Sequence, residues 1–327
     1  MALPPRLVAP VVAENPPDPL AVLILGPTGS GKTALSLALA REFQGEIVSC
    51  DSVAVYRGMD LGSAKPSLAE RAEIPHHLID VTTPDHPFTA GDYSRQARAA
   101  LHKIAQCRHL PIVTGGTGLY LRALTLGLFA GPPRQQATRD RLTRSLQRQS
   151  PNWLHRILAR LDPPSARRIH PNDTPKLIRA LEIRLATRRS LSATLDTAAA
   201  RDPLTGFRLL RIGLNPPRQQ LYDRINQRAA AMFASGLSEE TRTLLAQYGR
   251  VKALDALGYR QSLAAIDGNF TEPEAIAQAQ QGHRNYAKRQ LTWFRREPEV
   301  RWIENFGDQP DALHFAADCI RQTLLPA

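Results

Sequence analysis

The chain has 327 residues, 43% of them hydrophobic, enough to bury one large core and a smaller appendage and too apolar for a disordered protein. Lysine and arginine number 42 against 30 acidic residues, a formal net charge of +12 that favours a polyanionic partner, nucleic acid before membrane, and fits equally a generally arginine-rich proteome. Three widely separated cysteines, Cys50, Cys107 and Cys319, form no C-x-x-C pair, which argues against a disulfide framework or a structural zinc site and suits a reducing cytoplasm.

Residues 1–19, rich in proline and with too short an apolar run for a secretory signal, predict a mobile tail, and no stretch approaches a membrane span. Strand patterns then recur at 21–25 (AVLIL), 46–50 (EIVSC) and 110–114 (LPIVT), each followed by turn chemistry or a helical pattern. This is the rhythm of an α/β fold, a parallel sheet covered by helices. Directly after the first strand comes G-x-x-x-x-G-K-T, with Gly26, Gly31, Lys32 and Thr33 in register ahead of the helical ALSLALARE. Such a loop converges backbone N–H groups on an anion, while Lys32 adds a point charge and Thr33 a hydroxyl for a metal ion. The motif specifies a polyphosphate; it does not specify a nucleotide.

Ligands of open parallel sheets bind beyond the carboxyl ends of the strands. Three segments should therefore meet: the loop of Gly26 to Thr33, Asp51 with Ser52, and Gly115 to Tyr120. The third strand ends in GGTGLY where a nucleoside triphosphatase commonly places a magnesium-holding carboxylate, and no N-K-x-D motif follows a suitable strand. Both absences weigh against a GTPase or a motor ATPase. The acid that does end a strand is Asp51; beside a phosphate cradle it points to a metal, a substrate proton or a hydrogen-bond donor, the alternative being an N-cap of the following turn.

After LTLGLFAGPP the composition changes. Residues 134–189 carry 14 basic and four acidic residues, a local net charge of +10, in helical-looking text broken by DPPSA and HPND. We read an inserted, all-helical basic domain over 129–204, against the alternative of a solvated helical face. The apolar FRLLRIGL at 207–214 looks like a strand rejoining the sheet, so that 20–128 and 205–327 form the core domain, ending in helices.

The blocks GPTGSGKT, SCDSVAVYRGMDLGSAKP, IPHHLIDV, IVTGGTGLYLRAL, RIHPNDTPKLIRALEI, DRINQRAAAMFASGL, ALGYRQ and AKRQLTWFRRE, in this order over about residues 21–296, closely resemble those of the tRNA dimethylallyltransferases, or tRNA isopentenyltransferases. The resemblance implies a P-loop NTPase-like core and a cytoplasmic, monomeric enzyme of the short bacterial type, without the zinc finger of eukaryotic relatives. Such an enzyme transfers a dimethylallyl group from dimethylallyl diphosphate to the exocyclic amine of the adenosine 3′ of the anticodon, with Mg2+. By the same resemblance Gly26, Pro27, Thr28, Gly29, Ser30, Gly31, Lys32 and Thr33 cradle the diphosphate, Thr33 is the metal ligand, and Arg228 contacts the pyrophosphate. Asp51 becomes the general base. Contacts to the anticodon stem-loop of tRNA are implied for Asp51, Ser52, Val53, Ala54, Thr117, Arg139, Pro175, Lys176, Leu177, Ile178 and Arg179. Tyr259 and Arg260 are candidates for a further contact, with helix packing as the alternative. Two other function classes compete: a small-molecule or nucleotide kinase, which would not need the basic insertion, and a non-catalytic RNA-binding module, which would not need Lys32, Thr33 and Asp51.

Overall fold

The computed structural model describes residues 18–128, 131–132, 134–146, 148–150, 152–191 and 202–325. The tail expected over 1–19 lies, except for residues 18 and 19, outside the described residues. The chain divides into two compact units, 1–121 with 205–327, and 122–204.

In the first unit, six parallel strands form one sheet: β1 (Leu20–Leu25), β2 (Gly45–Ser49), β3 (His76–His77), β4 (Leu110–Thr114), β5 (Arg208–Leu214) and β6 (Val300–Ile303), in the order β3-β2-β4-β1-β5-β6. Central β1 pairs with β4, Val22 beside Ile112, and with β5, Val22 beside Leu210. All six of its residues are buried. A strand covered on both faces has no solvent side to mark with polar residues, which is why it reads as an unbroken apolar run.

Helices α1 (Lys32–Glu42), α2 (Leu68–Glu73), α3 (Ala90–Gln106) and α4 (Gly118–Thr125) follow in the first half of the chain, and the boundary between the units, at 121/122, falls within α4. After the second unit, with its helices α5 (Gln136–Leu146), α6 (Trp153–Leu161), α7 (Pro163–Arg168) and α8 (Thr174–Thr187), come α9 (Arg218–Ala234), α10 (Leu237–Tyr248), a 3-10 turn (Lys252–Asp255), α11 (Tyr259–Ile266), α12 (Glu272–Phe294) and α13 (Pro310–Leu324). Helix α1 buries Leu35, Leu37, Leu39 and Ala40 in a core shared with Ile24, Ile47 and Ile212 of the sheet and with Ala312, Ala316 and Ile320 of α13. A second core joins α9 to α12 through Phe233, Leu237, Leu244, Tyr259, Leu263 and Ala279, and takes in Met59.

The four strands read from the sequence are present within a residue of their expected limits. Strands β3 and β6 were not expected. β3 is two residues long, below any periodicity; β6, VRWI, is a short edge strand formed by pairing along Arg211–Leu214 of β5, Gly213 beside Trp302.

The second unit has its own core of Leu142, Leu154, Leu158, Leu177, Ile178 and Leu181. Its sequence breaks are helix starts: Asp162 caps α7 at the Ser165 N–H and Asp173 caps α8 at the Lys176 N–H, each with proline in the first turn. Fully buried Glu182 of α8 accepts from the Gln135 N–H (2.6 Å), from Arg179 (2.8 Å) and from Arg139 (3.3 Å). Burial pushes its carboxyl up, but these donors outweigh it and hold the group below its ordinary value.

Candidate active site

The phosphate loop turns on Gly29 and Gly31, at φ +80° and +87°, where an L side chain is strained. Gly31 is also crowded from behind: a Cβ there would lie 2.8 Å from the Gly307 nitrogen, whose N–H donates to the Ser30 carbonyl at 2.9 Å. The segment after β6 thus backs the loop.

In front of the loop lies a cavity of about 350 Å³, lined within the first unit by Thr28, Lys32, Thr33, Asp51, Ser52, Val53, Ala54, Gly115, Gly116, Arg228, His283, Tyr286, Arg289 and Gln290. The ends of β1, β2 and β4 converge here as expected of a parallel sheet. Their approach is close: a Cβ on Gly115 would fall 2.2 Å from the Cys50 carbonyl oxygen, so a side chain is excluded where β4 ends.

Two half-buried cations share the cavity. Lys32 donates to the Pro27 carbonyl at 2.7 Å; burial, reinforced by nearby Arg228, lowers its ammonium to about 7, against the opposing pull of Asp51 and Cys50. Arg228, on α9, reaches Thr28 Oγ1 at 3.3 Å and is likewise lowered by burial. Charge held this far out of water is stabilised by a bound anion. His283 of α12 lies beside them. Burial, then Arg228 and Arg260, lower its imidazole to about 4, so it is neutral at physiological pH, and its buried Nε2 has no hydrogen-bond partner.

Asp51 follows β2 after one residue. Its Oδ1 accepts from the Val53 N–H (2.7 Å) and the Ala54 N–H (3.2 Å), an Asx turn that fixes the carboxylate and leaves Oδ2 without a hydrogen-bond partner among the described residues. The Asp51 segment is held from β4 by Thr117: its N–H donates to the Cys50 carbonyl (3.1 Å) and its Oγ1 accepts from the Ser52 N–H (3.0 Å). Burial pushes the Cys50 thiol up to about 12, so it stays neutral next to Asp51. Lys65, 2% exposed in its side chain, pins the far wall by donating to the Tyr56 carbonyl (2.7 Å) and to the Asp60 and Asp80 carboxylates (2.6 Å each).

The remaining sequence candidates divide. Pro175, Lys176 and Arg260 are exposed. Leu177 and Ile178 are core residues of the second unit, 1% and 5% exposed, which corrects their reading as contact residues: their burial follows from the helical phase of α8. Arg139 and Arg179 are engaged by Glu182. Tyr259 is wholly buried, its hydroxyl donating to Glu240 at 2.6 Å and accepting from the Gly62 N–H at 3.2 Å, so packing, not contact with RNA, accounts for it. Sequence reasoning missed Gln290, 5% exposed, which accepts from the Thr28 N–H and donates to the Gly116 carbonyl, both at 2.8 Å. Its signal lay inside the block AKRQLTWFRRE, which carried the resemblance without a role for the glutamine.

A parallel sheet whose central strand runs into a glycine-rich loop, with half-buried cations and a fixed carboxylate around one cavity, defines an α/β phosphate-loop enzyme. Residues 54–297 match the family model described as IPP transferase, and the chain belongs to that family. It is 61% identical over 305 residues to the tRNA dimethylallyltransferase of Koribacter versatilis, covering 93% of this chain and 99% of the relative, and 50% identical over 305 residues to that of Solibacter usitatus, covering 93% and 98%. The crystal structure of the tRNA isopentenylpyrophosphate transferase of Bacillus halodurans superposes with a TM-score of 0.67 at 35% identity, covering 93% of this chain and 97% of that one.

Proposed function

We propose that the protein transfers a dimethylallyl group from dimethylallyl diphosphate to the exocyclic amine of the adenosine 3′-adjacent to the anticodon of tRNA, releasing diphosphate. The observation that carries this reading is the placing of Asp51, its Oδ2 unengaged among the described residues, across one cavity from Lys32, Arg228 and the loop N–H groups. The relatives' names supply the substrate class.

As the allylic carbon–oxygen bond breaks, negative charge accumulates on the departing diphosphate, where Lys32, Arg228 and the loop amides stabilise it. The adenine amine is a weak nucleophile, so the cavity must align it with the allylic carbon and take its proton late. Asp51 Oδ2 accepts that proton, while the Val53 and Ala54 amides hold Oδ1 still. A base stacked in the anticodon loop must be flipped out to reach it. Magnesium fits the donors present: the Thr33 hydroxyl makes no hydrogen bond among the described residues, and a hard cation that keeps several waters needs few protein oxygens beside those of a diphosphate. Thr33 would hold it, and when bound it supplies charge neutralisation to the leaving group.

The exposed arginines of the second unit, among them Arg141, Arg144, Arg156, Arg160, Arg167 and Arg168, would lie along the phosphates of the stem-loop, with Lys176 at the start of α8. Among the described residues no helix is long and apolar enough to cross a membrane, and the three cysteines are free, which supports action in the cytoplasm. The test is incubation with magnesium, dimethylallyl diphosphate and unmodified tRNA, followed by mass analysis of the digested nucleosides. A prenylated adenosine is expected; its absence, with ATP consumed in the presence of a small acceptor, would turn the site into that of a kinase.

A further inference from the structure

The hydrogen-bonded ladder between β1 and β4 ends at Ile24 beside Thr114. Past that point the two stretches of chain part, one into the phosphate loop and the other into Gly115–Thr117, whose Thr117 holds the Asp51 segment through the Cys50 carbonyl and the Ser52 N–H. Gln290 spans the gap. Its Oε1 accepts from the Thr28 N–H and its Nε2 donates to the Gly116 carbonyl, both at 2.8 Å, so one side-chain amide takes the place of a further peptide rung. The amide has a single workable orientation: turned over, it would set its oxygen against the Gly116 carbonyl and its NH2 against the Thr28 N–H. It is also tightly enclosed. Gln290 is 5% exposed, and a Cβ on Gly116 would fall 2.0 Å from Nε2. Three residues before it on α12, buried Ala287 packs with Leu221 and Ile225 of α9 and with Phe306, so the amide is presented by the same helix pair that carries Arg228.

We propose that Gln290 is a positioning residue that sets the distance between the two halves of the reaction, the anion cradle at Thr28 and the carboxylate of Asp51. The inference rests on the transfer reaction proposed above. Departure of the diphosphate and attack by the amine whose proton Asp51 takes meet at one allylic carbon, so cradle and base must keep a fixed separation, and a misplacement of about 1 Å costs about 10²-fold in such a step. Without the amide each half keeps its own contacts: Lys32, Arg228 and the other loop amides still face the anion, and the Val53 and Ala54 amides still fix Asp51. What is lost is their register with each other.

Gln290→Met, which keeps the length and bulk but neither accepts nor donates, tests this in a double-mutant cycle with Asp51→Ala, read as single-turnover prenyl transfer to unmodified tRNA. With Asp51 present, the substitution should lower the rate by about 10²-fold while affinity for inorganic diphosphate, by calorimetry, and for tRNA, by filter retention, stays within about threefold. In the Asp51→Ala background, where there is no base left to align, it should cost no more than about threefold. An unchanged rate, equal losses in both backgrounds, or a fall in diphosphate affinity that matches the fall in rate would reduce Gln290 to a structural contact. Should the variant not fold, hydrogen exchange in the wild type decides: the Thr28 N–H should exchange slowly both free and with diphosphate bound. A Thr28 amide that exchanges as fast as that of Gly29, which makes no hydrogen bond among the described residues, overturns the proposal. A wild type without any transfer would sink the reaction and the inference together, whereas an additive cycle in an active enzyme sinks the inference alone.

Discussion

The cavity of the first unit and the surface of the second are both rich in basic residues, but they hold them oppositely. Lys32 and Arg228 are half-buried with their charged ends withdrawn from water, depressed in pKa and without an ion-pair partner among the described residues. In the second unit the charges are either neutralised in the interior, as Arg139 and Arg179 are by Glu182, or left in water. Burial without a counter-ion stores unfavourable energy that one specific anion releases, whereas solvated arginines gain from any polyanion in proportion to the phosphates they meet. The first arrangement suits a small, chemically defined leaving group. The second suits a long backbone.

Removing the carboxylate that completes the cavity should produce the largest effect: Asp51→Ala is expected to lower the single-turnover transfer rate by about 10³-fold while tRNA binding, followed by filter retention, stays within a fewfold. Unchanged turnover would deny Asp51 its role as base. Next comes the interior pair of the second unit. Glu182→Ala strands two partly buried guanidinium groups and should cost that unit about 2–3 kcal/mol, discounted for the arginines' partial exposure, seen as faster hydrogen exchange in α5 and α8 with α1 unaffected. Equal loosening of both units would erase the contrast drawn between them.

A smaller effect concerns pH. Free Lys32, lowered to about 7, must be protonated to hold an anion, and the anion raises its pKa again. Diphosphate affinity should therefore be full below pH 7 and fall by up to about tenfold per unit above it, with proton uptake on binding, and Lys32→Met should abolish that slope. A flat profile in the wild type would mean that Lys32 is charged before the ligand arrives. Smallest, and spread over many residues, is the surface term: replacing Arg144 or Arg160 by alanine should weaken tRNA binding only severalfold and reduce the slope of log affinity against log salt by about one each. A steeper, sequence-dependent loss would mark a base contact instead of a phosphate contact.

Much of this contrast was legible in the sequence, because it rests on local patterns. The apolar runs of β1, β2, β4 and β5, the glycine-lysine-threonine register of the loop, Asp51 at a strand's end and the charge surplus of 134–189 all announce themselves within a few residues. What stayed hidden depends on contacts made far along the chain. Gln290 meets Thr28 across 262 positions, and nothing near it states that its amide faces a phosphate loop. Tyr259 looked like a free aromatic next to a basic residue until Glu240 and Gly62 were placed around its hydroxyl. Leu177 and Ile178 belonged to a block read for its resemblance, whereas the phase of α8 turns them inward. Edge strands β3 and β6 are too short to show a period and exist because a neighbour supplies their hydrogen bonds.

The packing of Gly31 against Gly307 and Asp308 has a consequence for the protein's synthesis. Residues 26–33 leave the ribosome well before the segment that backs them, which is made, together with β6 and α13, more than 260 residues later. A nascent chain can complete α1 and most of the sheet while its phosphate loop still lacks its rear wall. The loop thus acquires its final shape long after its own residues are made, and anion binding by the growing chain should be weak until that rear wall is in place.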